Sequence, residues 1–169
     1  MEKTGEFPGT SLSDADIKEG KVLLTEWHPN LKYAWDAGVA VGRFLEELKQ
    51  GRIIGTRCDR CGRVVVPPRV FCEWCFKTSD GWVYLKDTGV INTYSISYIA
   101  WDASRVEEPT IPIVVNIDGA SPGMGFLHLL GEVEPDPAKI RIGMPVQAVW
   151  KPAEERVGAI TDIKYFRPI

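Results

Sequence analysis

All four cysteines of the chain lie within CDRCGRVVVPPRVFCEWC, residues 58–75, as two C-x-x-C pairs ten residues apart. A thiolate is a soft ligand, and zinc takes four of them in a tetrahedron at about 2.3 Å. One C-x-x-C turn places two sulfurs on the same ion. The two knuckles, Cys58/Cys61 and Cys72/Cys75, therefore close one site. Gly62 stands where the chain folds back after the first knuckle, Val64, Val65 and Val66 read as a strand of a small hairpin, and Pro67 and Pro68 stiffen its turn. That spacing is a zinc ribbon. A rubredoxin-like iron site uses the same ligands, so spacing does not separate the two metals. A redox dithiol would call for a βαβ context, which does not surround these pairs. With every position filled by protein, no coordination site is left for water or substrate. The metal is expected to be structural Zn2+, folding a segment too short to have its own core.

Other reactive residues are few. The histidines are His28 and His128. His28 lies in a loose, polar stretch, and His128 sits inside a strand pattern and reads as a hydrogen-bonded structural histidine. Once the cysteines bind metal, no thiol nucleophile remains. The sequence has no G-x-S-x-G, no P-loop and no Rossmann glycine signature. Glu107 and Glu108 are adjacent in a loop and need not converge on a substrate. No catalytic residue is assigned, and the expectation is a module that binds rather than a stand-alone enzyme.

Charge narrows what it binds. The 169-residue chain carries a net charge of −3 with a pI near 5.5, which argues against a general nucleic-acid binder. Locally the balance reverses. Gly51 to Lys77 holds six basic residues (Arg52, Arg57, Arg60, Arg63, Arg69, Lys77) and two acidic ones (Asp59, Glu73). Four thiolates on a zinc ion still leave that segment at about +2. No apolar run approaches the ~20 residues of a membrane helix. The start, MEKTGEFPGTSLSDAD, lacks the basic and apolar regions of a signal peptide, so a cytoplasmic address is expected.

The elements that must position the knuckles follow from periodicity. Residues 1–32 read as an N-terminal arm, with Trp27 as an anchor should it order on a partner. Residues 33–51 read as a helix and its end. Ala37, Val41, Phe44, Leu45 and Leu48 form the apolar stripe, and Gly51 sits where a C′ glycine ends a helix. Tyr33 and Trp35 precede the main stripe as core residues or interface anchors. The ribbon occupies residues 52–80 and the last part residues 81–169. There GVINTYSISY alternates as one half-buried strand. Further strands are expected at 82–86, 111–118, 125–133, 145–151 and 159–166, with a short helix DPAKI begun by Asp136 and Pro137. The fold class is mainly β: an N-terminal helix, a four-cysteine zinc ribbon, then a small OB-fold barrel.

The motif order carries a resemblance. G-R-F-L-x-x-L-K-x-G spans Gly42 to Gly51, G-T-R-C-x-x-C-G spans Gly55 to Gly62, P-P-R is Pro67 to Arg69, C-x-x-C is Cys72 to Cys75, and R-I-G-M-P-V is Arg141 to Val146. Over residues 33–169 the chain resembles the acyl-CoA-associated rubredoxin-like zinc-ribbon/OB-fold proteins. The resemblance implies a small subunit in a hetero-oligomer with a thiolase-fold enzyme, whose own cysteine and histidines catalyse. Members accompany acetoacetyl-CoA thiolases, steroid side-chain aldolases and the benzoylsuccinyl-CoA thiolase of anaerobic toluene degradation. The long arm and the Tyr33/Trp35 helix are most similar to the last. CoA ester is the implied ligand. Arg57, Arg60, Arg63 and Arg69 are the candidates for its phosphates or for the partner, Arg69 first because the P-P-R turn holds it. Trp27, Tyr33, Trp35 and Trp101 are the candidate partner contacts. The alternative is an OB face, with Tyr94 and Tyr98, that stacks single-stranded nucleic acid.

Overall fold

The computed structural model describes residues 13–22, 29–79, 81–100 and 102–169. Trp27, His28 and Trp101, singled out in the sequence, lie outside them. The chain divides into two units, residues 1–35 and 36–169. In the first, the short helix α1 (Asp14–Lys18) is capped reciprocally. The Ser13 hydroxyl accepts the Asp16 amide at 3.3 Å, and the Asp16 carboxylate accepts the Ser13 amide at 3.0 Å. Tyr33 and Trp35 are exposed, with ring centroids 6.4 Å apart.

The second unit opens with α2 (Gly38–Lys49), which starts later than the apolar stripe predicts. The Asp36 carboxylate accepts the Gly38 amide at 2.8 Å, and Gly38 has φ of 67°. That turn stops the helical path from running back through Tyr33 and Trp35. The buried face is Ala40, Phe44, Glu47 and Leu48, whereas Ala37 and Val41 of the predicted stripe are exposed. The C-terminal end is as expected. Gly51 has φ of 72°, its amide donates to Leu48 O at 2.8 Å, and the Arg52 amide donates to Glu47 O at 2.9 Å. This is a Schellman motif, which satisfies carbonyls the helix leaves open. It delivers the chain into β1.

The ribbon region contains β1 (Ile53–Arg57), β2 (Val64–Val65), β3 (Phe71–Cys72), β4 (Lys77–Thr78) and β5 (Gly81–Leu85). β1 lies between β2 and β5, and β3 pairs with β4. β1 is absent from the sequence expectations. Its residues Ile53, Ile54, Gly55 and Thr56 are all buried, so no alternation marks it. β5 runs antiparallel to it along its full length, from Ile53 opposite Leu85 to Arg57 opposite Gly81.

The remaining strands are β6 (Thr88–Tyr94), β7 (Ser97–Ile99), β8 (Arg105–Thr110), β9 (Pro112–Ile117), β10 (Gly125–Leu129), β11 (Pro145–Trp150) and β12 (Ile163–Pro168). Five form one sheet in the order β10-β9-β6-β11-β12. The two outer strands meet at a parallel bridge between Leu130 and Phe166, where the Gly131 amide donates to Phe166 O at 2.8 Å. This order is that of an OB fold. The stretch GVINTYSISY is not one strand. β6 ends at Tyr94, and β7 turns away to pair with β8 as a separate hairpin. Tyr94 is half-buried against the core and Tyr98 is exposed, so they do not share one strand face. DPAKI makes a turn, not a helix. Asp136 Oδ1 accepts the Ala138 amide at 2.8 Å, and the next buried residue is Ile140.

One core joins helix, ribbon and barrel. It includes Phe44 and Leu48 of α2, Ile53 and Ile54 of β1, Val66, and Ile91, Ile113, Val115, Val146 and Phe166 of the barrel. Phe126 bridges Phe44 and Phe166 with centroid distances of 6.1 and 6.2 Å. Each such side chain contributes about 1.5–3 kcal/mol on burial. Among the described residues, no helix is long and apolar enough to cross a membrane.

A buried carboxylate fixes the turn before β12. Asp162 accepts amides from Val157 at 3.0 Å, Gly158 at 2.7 Å and Ala159 at 3.1 Å. Burial alone would raise its pKa, but these amides and the Lys151 charge outweigh it and hold the group below the ordinary value of 3.8. A depressed carboxyl stabilises the fold above the unfolded pKa and loses that contribution as pH falls through the folded one. Asp162→Asn is expected to cost about 1–3 kcal/mol at neutral pH. In urea unfolding the difference from wild type should shrink below about pH 4. An equal difference at pH 3 and pH 7 would contradict the account.

Candidate metal centre

The two knuckles repeat one backbone turn. The Gly62 amide donates to Cys58 O and the Phe76 amide to Cys72 O, both at 2.8 Å. The Cys58 amide donates to Arg63 O at 2.9 Å, which closes the first knuckle against β2. β3 and β4 carry the second. The four sulfurs of Cys58, Cys61, Cys72 and Cys75 lie within 4.8 Å of one another, and Cys61 and Cys72 Sγ are 3.7 Å apart. Zinc–sulfur bonds of about 2.3 Å in a tetrahedron require sulfur separations of about 3.8 Å. The site fits the ion. Cys58 and Cys72 are buried, Cys75 is half-buried and Cys61 is exposed.

Electrostatics give the same answer. The Cys61 amide pulls the Cys58 thiol down to about 7. The Cys61 side chain and the other neighbouring sulfurs, with burial, push Cys75 up to about 12. One thiolate is therefore easily formed, and further negative charge is resisted. A cation among the sulfurs offsets that resistance. The role is structural, because the protein supplies every ligand.

The four candidate arginines have different surroundings. Arg57 and Arg60 are exposed and, among the described residues, make no ion pair. Arg69 is half exposed and lies 3.6 Å from Glu73. Its backbone is pinned to β1, since Thr56 Oγ1 accepts the Arg69 amide at 3.1 Å and donates to Arg69 O at 2.9 Å. Arg63 is buried. Its Nη1 is 3.1 Å from Glu73 Oε1, its guanidinium lies 3.9 Å from the Trp74 ring centroid, and Nη2 is 3.6 Å from Met124 Sδ. This arginine ties the second knuckle to the first and to the barrel. Its sequence signal is the acid–aromatic pair Glu73-Trp74 in the facing knuckle. A second tie joins Val64 to Ser121: the Val64 amide donates to Ser121 Oγ at 2.9 Å, and the Ser121 amide to Val64 O at 3.0 Å.

His128 sits across the barrel seam, as a structural histidine would. Its Nδ1 accepts the Leu129 amide at 2.9 Å, which leaves Nε2–H to donate to Ile160 O at 3.3 Å. Burial holds its pKa below the usual histidine value. Beside it Leu127, Leu129, Ile160, Lys151 and Lys164 line an apolar groove of about 340 Å³.

Cys58→Ser and Cys72→Ala are expected to lose the metal and unfold the ribbon. A four-thiolate site contributes on the order of 10 kcal/mol to small zinc domains. The barrel should persist, because Val66 is the one buried residue that the stretch from Cys58 to Ser79 contributes to the shared core. Metal analysis should find about one zinc per wild-type chain. A folded ribbon without metal, seen by amide exchange, would show that the fold does not depend on it.

Comparison with known proteins agrees with this geometry. A family model described as the ChsH2 rubredoxin-like zinc ribbon domain matches residues 45–80, and one described as the ChsH2 C-terminal OB-fold domain matches residues 82–151. A DUF35 domain-containing scaffold protein of Methanocaldococcus jannaschii is 30% identical over 120 residues, 69% of this chain and 82% of its own length. The crystal structure of a DUF35-family protein of unknown function from Sulfolobus solfataricus superposes with a TM-score of 0.55 at 29% identity, covering 66% of this chain and 78% of that one. A chain of the Ltp2–ChsH2(DUF35) aldolase shares the fold, with a TM-score of 0.52 at 24% identity, covering 83% of this chain and 98% of that one. A zinc ribbon stapled by four cysteines and followed by an OB barrel, in one continuous core, places this chain in the ChsH2-type DUF35 family.

Proposed function

We propose that this protein is the non-catalytic, zinc-binding subunit of a hetero-oligomeric acyl-CoA enzyme whose thiolase-fold partner holds the reacting groups. The observation that carries the reading is the fold likeness to the DUF35 chain of the Ltp2–ChsH2 aldolase, which spans 98% of that chain. The relative named a scaffold protein supports the same role. The subunit completes the assembly and helps to hold the CoA ester. Arg57 and Arg60 are the better placed of the four arginines for CoA phosphates, because Arg63 and Arg69 already face Glu73. Tyr33 and Trp35, exposed in the first unit, are candidate partner contacts. The specific reaction proposed is cleavage of benzoylsuccinyl-CoA in anaerobic toluene degradation, on the sequence resemblance alone.

The test is native mass spectrometry of the tagged protein purified from its own host. A complex with a thiolase-sized subunit is expected, and the partner alone should lose most of its CoA-dependent thioester cleavage. Arg57→Ala with Arg60→Ala should raise the KM for the CoA ester about tenfold, the loss of one to two charge-assisted contacts. Full activity of a partner that never binds this chain would refute the proposal.

A further inference from the structure

The two zinc knuckles fold alike but are not built alike. After the second cysteine of each, the backbone enters the left-handed region: φ is 72° at Gly62 and 51° at Phe76. Glycine is the residue that conformation favours, and the first knuckle uses it. The second places a phenylalanine there, which adopts that conformation only under strain. The ring gains no burial in return, since it is 83% exposed. Both features are unfavourable to the isolated chain. Trp74 beside it is 70% exposed, and Val70 and Phe71 are half exposed. Trp74 is nevertheless held in place, because the buried Arg63 guanidinium stacks on its ring at 3.9 Å. A tryptophan held by a buried arginine and an exposed phenylalanine in one knuckle are aromatic anchors of the kind that dominate interfaces.

We infer that the second knuckle is a docking surface, with Phe76 and Trp74 as anchors, for the catalytic partner subunit. The inference rests on the proposed function for the partner's existence and adds where it binds. Charge indicates what the partner's socket looks like. The anchors sit in a segment, Gly51 to Lys77, that holds six basic residues and two acidic ones, and Lys77 next to Phe76 is exposed, whereas the acidic residue of the knuckle, Glu73, is shared between Arg63 and Arg69. The rest of the chain is acidic enough to bring the net charge to −3. The complementary surface is an apolar socket rimmed by carboxylates. The aliphatic Val70 and the acidic chain as a whole favour a protein over a nucleic acid.

Phe76→Gly tests the idea without threatening the fold, because glycine relieves the backbone and removes only an exposed ring. Zinc content should stay at wild-type level and the melting temperature should hold or rise. Affinity for the purified thiolase-fold subunit, measured by calorimetry, should fall about tenfold or more, and Trp74→Ala should behave similarly. Val157→Ala, at an apolar position 72% exposed outside the ribbon, should bind as wild type. Equal binding by wild type and Phe76→Gly would overturn the docking surface and leave the proposed function standing. Failure of the wild type to bind any thiolase-fold subunit would overturn both. Binding of a short single-stranded oligonucleotide at low salt, lost in Phe76→Gly, would assign the knuckle to nucleic acid instead.

Discussion

The convergence of four sulfurs on one point is the constraint on which the ribbon depends. Between Cys58 and Ser79 the buried apolar side chains are few, chiefly Val65, Val66 and Pro68. So small a set cannot offset the conformational entropy of ordering that many residues. The metal supplies the missing free energy, and this has a consequence for the surface. A segment held by its ion does not need its aromatic residues inside. Phe71, Trp74 and Phe76 are exposed, whereas Phe44, Phe126 and Phe166, in the part held by packing, are buried or half-buried.

The ribbon is nonetheless part of the same body as the barrel. β1 runs between the ribbon's β2 and the strand β5 that leads into the barrel. Val64 exchanges two hydrogen bonds with Ser121 of the turn before β10, and Arg63 reaches Met124 in the same turn. Glu47 of the helix is engaged by Arg52 at 2.7 Å and by the Tyr84 hydroxyl at 3.2 Å. Helix, ribbon and barrel thus meet through polar contacts at the edges and one apolar core in the middle.

Much of this is legible in the sequence because local chemistry leaves little choice. C-x-x-C spacing admits one geometry around a tetrahedral ion, Gly51 marks a helix end that needs positive φ, and β9 and β11 follow from their apolar runs bounded by turns. The misses share a cause, which is that tertiary context decides. β1 is buried on both faces and shows no alternation. β8 contains Glu107, Glu108 and Pro109 and reads as a loop, yet pairing with β7 is enough to order it. The helix start is put too early because Ala37 falls on the stripe by number and Tyr33 and Trp35 precede it, while the Asp36 turn decides where helical geometry begins. Among the site residues, the ligands follow from spacing, but the arginines cannot be sorted by it. Arg57, Arg60, Arg63 and Arg69 look equivalent in a string, and only the fold shows that Glu73 has taken two of them.

The difference between the two knuckles is written in the sequence, as C-x-x-C-G against C-x-x-C-F. Its meaning is not, because the second phenylalanine could have folded inward and been core. The structure separates these cases. An inward ring would have recovered its strain through burial; an outward one leaves both terms unfavourable. Stability alone would place glycine at position 76, as it does at position 62. A residue that costs the free chain stability and contributes nothing to its core is what the proposed docking role would account for. In the proposed docking surface the metal's structural role and the protein's binding role meet. The ion fixes the turn, the turn presents the ring, and the buried Arg63 holds the neighbouring tryptophan in position beside it.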